Sequence, residues 1–197
     1  MKEEILKGIY RVLKIILISL IIVIILFNLY RSVEKSIFYP LKYREEVFNS
    51  SDKYSLSRAT VYALIKTESS FNSRAKSNKG AKGLMQITDK TGEFIAKKLC
   101  QEEYDLFNVE DSIEFGCYYI RYLIDKFGNE RTALIAYNAG EGNVSNWLKD
   151  NRYSEDGEYL KEIPFDETKD YIDKIYKRKE KYKKLYGKLL DKQINFE

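Results

Sequence analysis

One acid in the sequence has a position that would suit proton-transfer chemistry. Glu68 follows a largely apolar run at residues 61–65 and comes directly before Ser69 and a polar loop. A helix over that run would hold the carboxyl near apolar surroundings, and burial raises a carboxyl pKa because it disfavours the anion. A carboxyl that stays protonated near neutral pH can donate a proton to a glycosidic oxygen. Position alone, however, favours an exposed acid near a helix end.

Two further stretches have residue types suited to binding a polar ligand. Gly-Leu-Met-Gln at 83–86 places an amide beside apolar residues, and its glycine would let the backbone approach a ligand closely. Ala-Tyr-Asn-Ala-Gly at 136–140 has small residues on both sides of Tyr137 and Asn138, so both side chains could line a groove. A tight turn and a glycine-closed helix end explain the same residues as simply. Each stretch is weak evidence by itself.

The residue types that are missing exclude several classes of site. The chain of 197 residues contains no histidine and only two cysteines. This excludes Ser-His-Asp and Cys-His catalysis and the HExxH metalloproteases. Cys100 and Cys117 are too few for a zinc site without histidine, so we expect no metal and no cofactor. The two cysteines could form one disulfide or be two small buried side chains, and the sequence leaves both alternatives open.

The basic excess of the chain belongs to its N-terminal segment. Residues 1–44 hold eight Lys or Arg and three Asp or Glu, which leaves 26 basic and 27 acidic residues of the totals of 34 and 30. The remainder is therefore nearly neutral, unlike a domain that binds nucleic acid. A dense basic run at residues 174–192 alternates with Tyr and Leu, which is typical of the solvated face of a helix.

An apolar stretch near the N-terminus predicts a membrane anchor. Residues 15–29 carry no charge, and the stretch extends over residues 9–30 if Lys14 reaches toward the headgroups. This length is close to the ~20 residues that a bilayer requires. A signal peptide begins similarly, but it usually has a shorter apolar core and small residues at a cleavage site, which are missing after Leu29. We therefore expect residues 1–30 to form a cytoplasmic start and an uncleaved single-pass anchor.

The rest of the chain predicts a linker and a helical domain. Residues 31–44 are expected to be a juxtamembrane linker, and residues 45–197 a compact domain that is mainly α, since no stretch alternates as a strand would. Asn108 is predicted to cap a helix that ends at Gly128. The other predicted helices are one capped by Ser57 and ending near Glu68, one over about 90–99, one over 130–138, one over 144–148 after breaks at Gly140 and Gly142, and a long final helix capped by Asp166.

The candidate stretches become specific when they are taken in order. Glu68-Ser69, the stretch at 83–86 and the stretch at 136–140 together resemble the soluble lytic transglycosylase (SLT) family, a branch of the lysozyme-like superfamily. Residues 163–171, with Ile-Pro, Glu-Thr and Tyr at 163–164, 167–168 and 171, resemble the C-terminal motif of that family. The resemblance covers roughly residues 50–180. Departures at Ser73, often Pro in the family, and at Thr88-Asp89, often Met-Pro, concern loop geometry.

The resemblance implies a lysozyme-like fold, similar to goose-type lysozyme, and a peptidoglycan-cleaving activity. Enzymes of this family break the β-1,4 bond between N-acetylmuramic acid and N-acetylglucosamine without water. One glutamate, here Glu68, would protonate the glycosidic oxygen and then take a proton from the C6 hydroxyl, leaving a 1,6-anhydromuramoyl end. Tyr171 matches the tyrosine that faces this glutamate. Met85, Gln86 and Asn138 match groove residues that contact the sugars, and the remaining matched supporting positions are Ser69, Gly83, Tyr137 and Ala139.

Two alternatives remain open from the sequence. A hydrolytic muramidase would use the same acid and let water attack. A membrane-anchored wall-binding or scaffold protein would bind glycan without cutting it. In either case, the expected partners are peptidoglycan glycan strands, the membrane and possible cell-wall or secretion assemblies, and the expected location is the cell membrane with the domain outside. Glu167 is expected to cap or orient the final helix.

Overall fold

The computed structural model describes residues 1–190, and it divides the chain into two compact units. The first runs from Met1 to Leu41 and the second begins at Lys42. The predicted C-terminal boundary of the folded domain at residue 197, and the end of the basic run at 192, lie outside the described residues.

The first unit is a single long helix. Helix α1 spans Lys2–Val33 and continues without a break into a π-helical segment at Glu34–Phe38. Its apolar side chains are exposed along the whole length. By length and composition it could cross a membrane, and it is the one such helix among residues 1–190. The segment predicted as a linker from residue 31 therefore begins as helix.

In residues 42–190, the second unit is built from seven helices around one core. Among the described residues it contains no strand, only isolated bridges from Lys82 to Lys76 and Ile87. Helix α3 lies at the centre, because residues 61–65 have no exposed surface and the helix packs against both α2 and α8. The helices of this unit are α2 (Arg44–Lys53), α3 (Arg58–Glu68), α4 (Asp89–Leu99), α5 (Val109–Phe127), α6 (Glu130–Ala139), α7 (Glu141–Leu148) and α8 (Asp166–Leu190).

Of the three predicted N-terminal caps, one makes the expected hydrogen bonds. The Asn108 side chain accepts hydrogen bonds from the backbone N–H groups of Glu110 (2.8 Å) and Asp111 (3.2 Å), which satisfies donors that lack partners at the start of α5. Ser57 precedes α3 as predicted, but its side chain makes no capping bond. Asp166 was expected to cap α8 and is instead its first residue. The Lys169 N–H donates to the Phe165 carbonyl at 3.0 Å, so Phe165 begins the turn.

A sharp corner separates α6 from α7. It is formed at Gly140, whose φ of +88° and ψ of 138° suit a residue without a side chain. Gly142, which was predicted to break the chain as well, lies inside α7. The corner ends α6 directly after Tyr137 and Asn138, so both of these residues lie in its last turn.

The two cysteines are not joined. Cys100 is exposed and follows α4 in the left-handed region at φ +54°, whereas Cys117 is buried within α5. The disulfide alternative is therefore wrong, and the alternative of two buried side chains holds only for Cys117. Burial raises the pKa of the Cys117 thiol, because the thiolate would lose its solvation.

A charged network connects three helices of the core. Glu130 of α6 accepts hydrogen bonds from the Thr60 hydroxyl of α3 at 2.7 Å and from the Lys179 ammonium of α8 at 2.6 Å. Lys179 is only 9% exposed. Its charge is thus neutralised by a carboxylate where water has little access.

Candidate active site

The acid singled out in the sequence is the last residue of the central helix. Glu68 ends α3, and its Oε1 accepts a hydrogen bond from the Tyr171 hydroxyl of α8 at 2.5 Å. Tyr171 is buried, while Glu68 keeps part of its surface exposed. Two residues that are 103 positions apart in the sequence are therefore in direct contact.

The surroundings of Glu68 favour its protonated form. Burial of the carboxyl raises its pKa to about 7, although the hydrogen bond from Tyr171 acts in the opposite direction. Within residues 1–190, no Lys or Arg forms an ion pair with Glu68 that would stabilise the anion. A carboxyl with this pKa exists in both protonation states near neutral pH, so it can act as an acid and as a base.

Ser69 holds the end of α3 in place. Its hydroxyl donates to the Ile65 carbonyl at 3.1 Å and accepts from the Phe71 N–H at 3.2 Å. Ser70 and Phe71 have φ values of +50° and +67°, so the chain turns back sharply after the acid. The hydroxyl of Ser69 therefore fixes the backbone beside Glu68.

The stretch at 83–86 is a tight turn that requires its glycine. Gly83 has a φ of +75°, and a Cβ added there would lie 1.8 Å from the Leu106 carbonyl oxygen. Gln86 also has a positive φ of +51°. Its Nε2 donates to the carbonyls of Gly83 (2.9 Å) and Ala75 (3.2 Å), so the amide nitrogen faces the turn and the amide oxygen points away from it.

The side chain of Met85 lies in the core. Its side chain has no exposed surface and packs against Gly116 of α5, where an added Cβ would be 2.5 Å from the Met85 Cε. The apolar thioether thus fills the space that a glycine opens in the core, and contact between Met85 and a sugar stays a prediction. The backbone of Met85 carries the contacts to the site. Its N–H donates to Ser112 Oγ at 3.3 Å, and its carbonyl accepts from the Tyr137 hydroxyl at 2.7 Å.

The last turn of α6 presents its residues in different directions. Tyr137 points toward the turn at 83–86 through its bond to Met85. Asn138 is exposed, and its Oδ1 accepts a hydrogen bond from the Thr168 hydroxyl of α8 at 2.8 Å. The carbonyl of Ala139 accepts from the Asn143 side chain at 2.8 Å, which closes the corner before α7.

The structure brings most of the predicted residues together in two bonded groups. Glu68 and Tyr171 form one, and Met85 and Tyr137 form the other, with Gly83 and Gln86 in the same turn as Met85. Burial, followed by the charge of Glu68, raises the pKa of the Tyr137 hydroxyl.

Three residues that support these groups were missed as individual positions. Thr168 orients Asn138, Ser112 holds the Met85 backbone, and Gly116 makes room for the Met85 side chain. Thr168 stands inside the recognised C-terminal motif, and a glycine within the helical pattern of α5 was visible. Only the fold connects Ser112 with Met85. Glu167, expected to cap or orient α8, lies exposed in its first turn.

Among the described residues, no group of three or more His, Cys, Asp or Glu side chains has a geometry that could hold a metal ion. The chemistry available here is that of one carboxyl, two phenols and several amides.

Comparison with known proteins identifies a matching family. The family described as Transglycosylase SLT domain matches residues 45–160. The soluble lytic murein transglycosylase of Salmonella typhimurium is 33% identical over 143 residues, which cover 70% of this chain and 22% of that protein. The membrane-bound lytic murein transglycosylase C of Edwardsiella ictaluri is 34% identical over 116 residues, covering 52% of this chain and 32% of that protein.

Solved structures of the same kind share the fold. An inactive mutant of the lytic transglycosylase Slt from Pseudomonas aeruginosa superposes with a TM-score of 0.68 and 29% identity, covering 77% of this chain and 25% of that one. The 70 kDa soluble lytic transglycosylase of Escherichia coli gives a TM-score of 0.67 and has also been solved in complex with bulgecin A. The chain spans less than a third of the length of these proteins. The lysozyme-like, mainly helical fold is confirmed, and the chain belongs to the transglycosylase SLT domain family.

Proposed function

We propose that this protein is a membrane-associated peptidoglycan lytic transglycosylase with Glu68 as its one catalytic carboxyl. The observation that carries the proposal is the setting of Glu68, a partly accessible acid that is hydrogen-bonded to a buried tyrosine and has a pKa of about 7. The names of the family and of the matched relatives support the substrate, a murein glycan strand.

The proposed reaction needs one group that first gives and then takes a proton. Protonated Glu68 donates its proton to the glycosidic oxygen as the bond between that oxygen and C1 of N-acetylmuramic acid breaks. The C6 hydroxyl oxygen of the same sugar then bonds to C1, and its proton returns to Glu68. Atoms balance without water, and the product ends in a 1,6-anhydro sugar. A pKa near neutrality suits both steps, because neither protonation state is strongly disfavoured.

Tyr171 is proposed to set the position and the proton affinity of the acid. Its hydroxyl fixes one carboxyl oxygen at 2.5 Å, which leaves the other oxygen to face the substrate. A donor to the carboxylate also stabilises the anion that forms after the first proton transfer. The second step therefore starts from a Glu68 carboxylate whose position is fixed by Tyr171.

The neighbouring groups are proposed to bind the sugars. Gln86, whose amide nitrogen is occupied, would present its oxygen as an acceptor for a hydroxyl or acetamido N–H. Asn138, held through its oxygen by Thr168, would present its amide nitrogen as a donor. Tyr137 acts through its bond to the Met85 carbonyl, and Gly83, Ser69 and Ala139 support the backbone. Convergent polar groups of this kind fix the orientation of a ligand.

The N-terminal helix is proposed to anchor the enzyme at the membrane as a single span. Its exposed apolar side chains would be stable in lipid and costly in water. The membrane-bound name of the transglycosylase C relatives supports membrane association. A cytoplasmic N-terminus with the folded unit outside would place the enzyme on the side of the membrane where peptidoglycan lies.

Product analysis tests the proposed reaction. The full-length protein, in detergent, is incubated with purified peptidoglycan, and the soluble products are identified by mass spectrometry. Muramoyl ends lighter by one water than the reducing form are expected, and they should be missing with Glu68→Gln. Bulgecin A, added as a competitor, should reduce product formation. Reducing ends would overturn the transglycosylase in favour of a muramidase, and strand binding without any product would favour a scaffold.

A further inference from the structure

A row of aromatic rings continues outward from the candidate active site. The Tyr137 ring lies 5.6 Å from that of Tyr119, which lies 6.0 Å from that of Tyr122, which in turn lies 5.1 Å from that of Phe94. These distances join ring centroids and are within the range of direct aromatic contact. The row crosses from α6 to α5 and then to α4, so the spacing of side chains along one helix does not explain it.

The rings of this row are not a sealed part of the core. All four side chains keep partly exposed surface. A contrasting pair elsewhere in the unit, Tyr62 and Tyr182, also packs ring on ring at 5.3 Å but has no exposed surface. If packing were their only role, full burial of the rings in the row would be favoured, because burial of an aromatic ring stabilises the fold.

Polar groups accompany the row. Glu141 accepts hydrogen bonds from the Tyr122 hydroxyl at 3.2 Å and from Lys126 at 2.8 Å. The Tyr119 hydroxyl has no hydrogen-bond partner anywhere in residues 1–190, so a donor and acceptor is available in the middle of the row. A surface with aromatic faces and polar edges suits a carbohydrate, because a sugar ring has C–H groups on its faces and hydroxyls around its rim.

The row is also continuous with the site already described. Tyr137, its inner end, donates to the Met85 carbonyl, and Met85 directly precedes Gln86. The aromatic row therefore adjoins the turn that carries Gln86. Resting on the function proposed above, we propose that Tyr119, Tyr122 and Phe94 form an additional glycan-binding platform that engages sugars beyond the cleaved bond.

The platform predicts a dependence on strand length. Phe94→Leu and Tyr122→Leu are combined, and kcat/KM is measured on peptidoglycan strands of many disaccharides and on strands of two. The ratio of long to short should fall by about tenfold or more in the double variant, since each lost ring contact corresponds to a few-fold change in binding. Tyr122→Phe keeps the ring and should retain most of the ratio. Tyr118→Leu, on the same helix but packed against Tyr54 instead, is the matched control.

Two readouts separate this proposal from the proposed function. If the wild type cleaves both substrates and the double variant keeps the wild-type ratio, the platform is overturned and the proposed function stands. If the wild type yields no product, the proposed function fails, and binding of long strands to Glu68→Gln with and without the two leucines still tests the platform. Equal binding would overturn it, and a loss of about tenfold would support it. Circular dichroism melting confirms that each variant is folded.

Discussion

Two glutamates in the helical unit have similar settings and opposite partners. Glu68 and Glu130 each accept a short hydrogen bond from a side chain of α8, at 2.5 Å and 2.6 Å. The donor to Glu68 is the neutral phenol of Tyr171, whereas the donor to Glu130 is the ammonium of Lys179, with the Thr60 hydroxyl as a second donor. Among α3, α6 and α8, one carboxyl is thus paired with a cation and the other is not.

The difference shows how one framework supports two kinds of acid. The Glu130 carboxylate accepts a hydrogen bond from a hydroxyl at one oxygen and from a cation at the other. It thereby links α6 to α3 and α8. A buried carboxyl without a cation keeps its proton more easily, because the protein compensates little of the anion's lost solvation. Thr60 and Glu68 lie on one helix, about 12 Å apart at 1.5 Å per residue. The contact between Glu130 and Thr60 therefore holds in place the helix that carries Glu68.

Removing the ionisable group from Glu68 should have the largest effect on activity. We expect Glu68→Gln to lower kcat by about 100-fold to 10,000-fold, which is the contribution of a positioned general acid. Release of soluble muropeptides from peptidoglycan measures this loss. Glu130→Gln, the matched variant, should retain activity in the molecules that remain folded. Comparable losses in both variants would show that the contrast between the two acids is wrong.

The same substitution should change the free energy of unfolding by an amount that depends on pH. The pKa of Glu68 is about 7 in the folded protein and near 4.5 without burial, so the folded state favours the proton. Stability from this group is complete below pH 4.5 and is lost as the pH rises through 7. Glu68→Gln should therefore be more stable than the wild type at pH 8, on the order of 2 kcal/mol, and equally stable at pH 4. Urea unfolding at the two pH values measures the difference.

Removing the charge from Glu130 should lower stability. Glu130→Gln leaves Lys179 buried without its counter-ion, and we expect a loss of about 2 kcal/mol in the free energy of unfolding. Urea unfolding at pH 7 measures it. Lys179→Met combined with Glu130→Gln should recover part of the loss, because the uncompensated charge is then removed. A double variant less stable than both single ones would contradict this explanation.

Tyr171→Phe should convert Glu68 to an acid without a hydrogen-bonding partner. Because the Tyr171 hydroxyl lowers the pKa of Glu68, its removal should raise that pKa and move the alkaline limb of the rate profile to higher pH. We also expect kcat to fall about tenfold through poorer positioning. Rates from pH 5 to 9 distinguish the two effects. An alkaline limb that moves to lower pH would contradict the proposed role.

The smallest expected effect concerns the orientation of Asn138. Thr168→Val keeps the shape of the side chain and removes the hydroxyl that holds Asn138 Oδ1. One neutral hydrogen bond contributes about 1 kcal/mol, so KM should rise about fivefold with kcat nearly unchanged. Thr168→Ser, which retains the hydroxyl, should behave as the wild type. A fall in kcat without a change in KM would place Thr168 with the acid rather than with the sugar contacts.

Local chemistry predicted much of the fold and only part of the site. Asn108 and Gly140 act over a few residues, so the start of α5 and the corner after α6 were correctly predicted. The bond between Glu68 and Tyr171 spans 103 residues, and only the ordered motifs suggested it. The burial of the Met85 side chain could not be predicted from the local sequence, because it depends on Gly116, a residue of another helix. Likewise, no spacing rule links Glu130 with Lys179.

The two unpaired cysteines have a practical consequence for studying the protein. Cys100 is exposed, whereas Cys117 is buried and its pKa is raised, so a thiol reagent should reach one position and spare the other. Cys100 directly follows α4, the helix that carries Phe94. A fluorophore attached there needs no engineered residue and would report from the helix at the outer end of the aromatic row. Cys100 thus provides a site for a spectroscopic label without mutation.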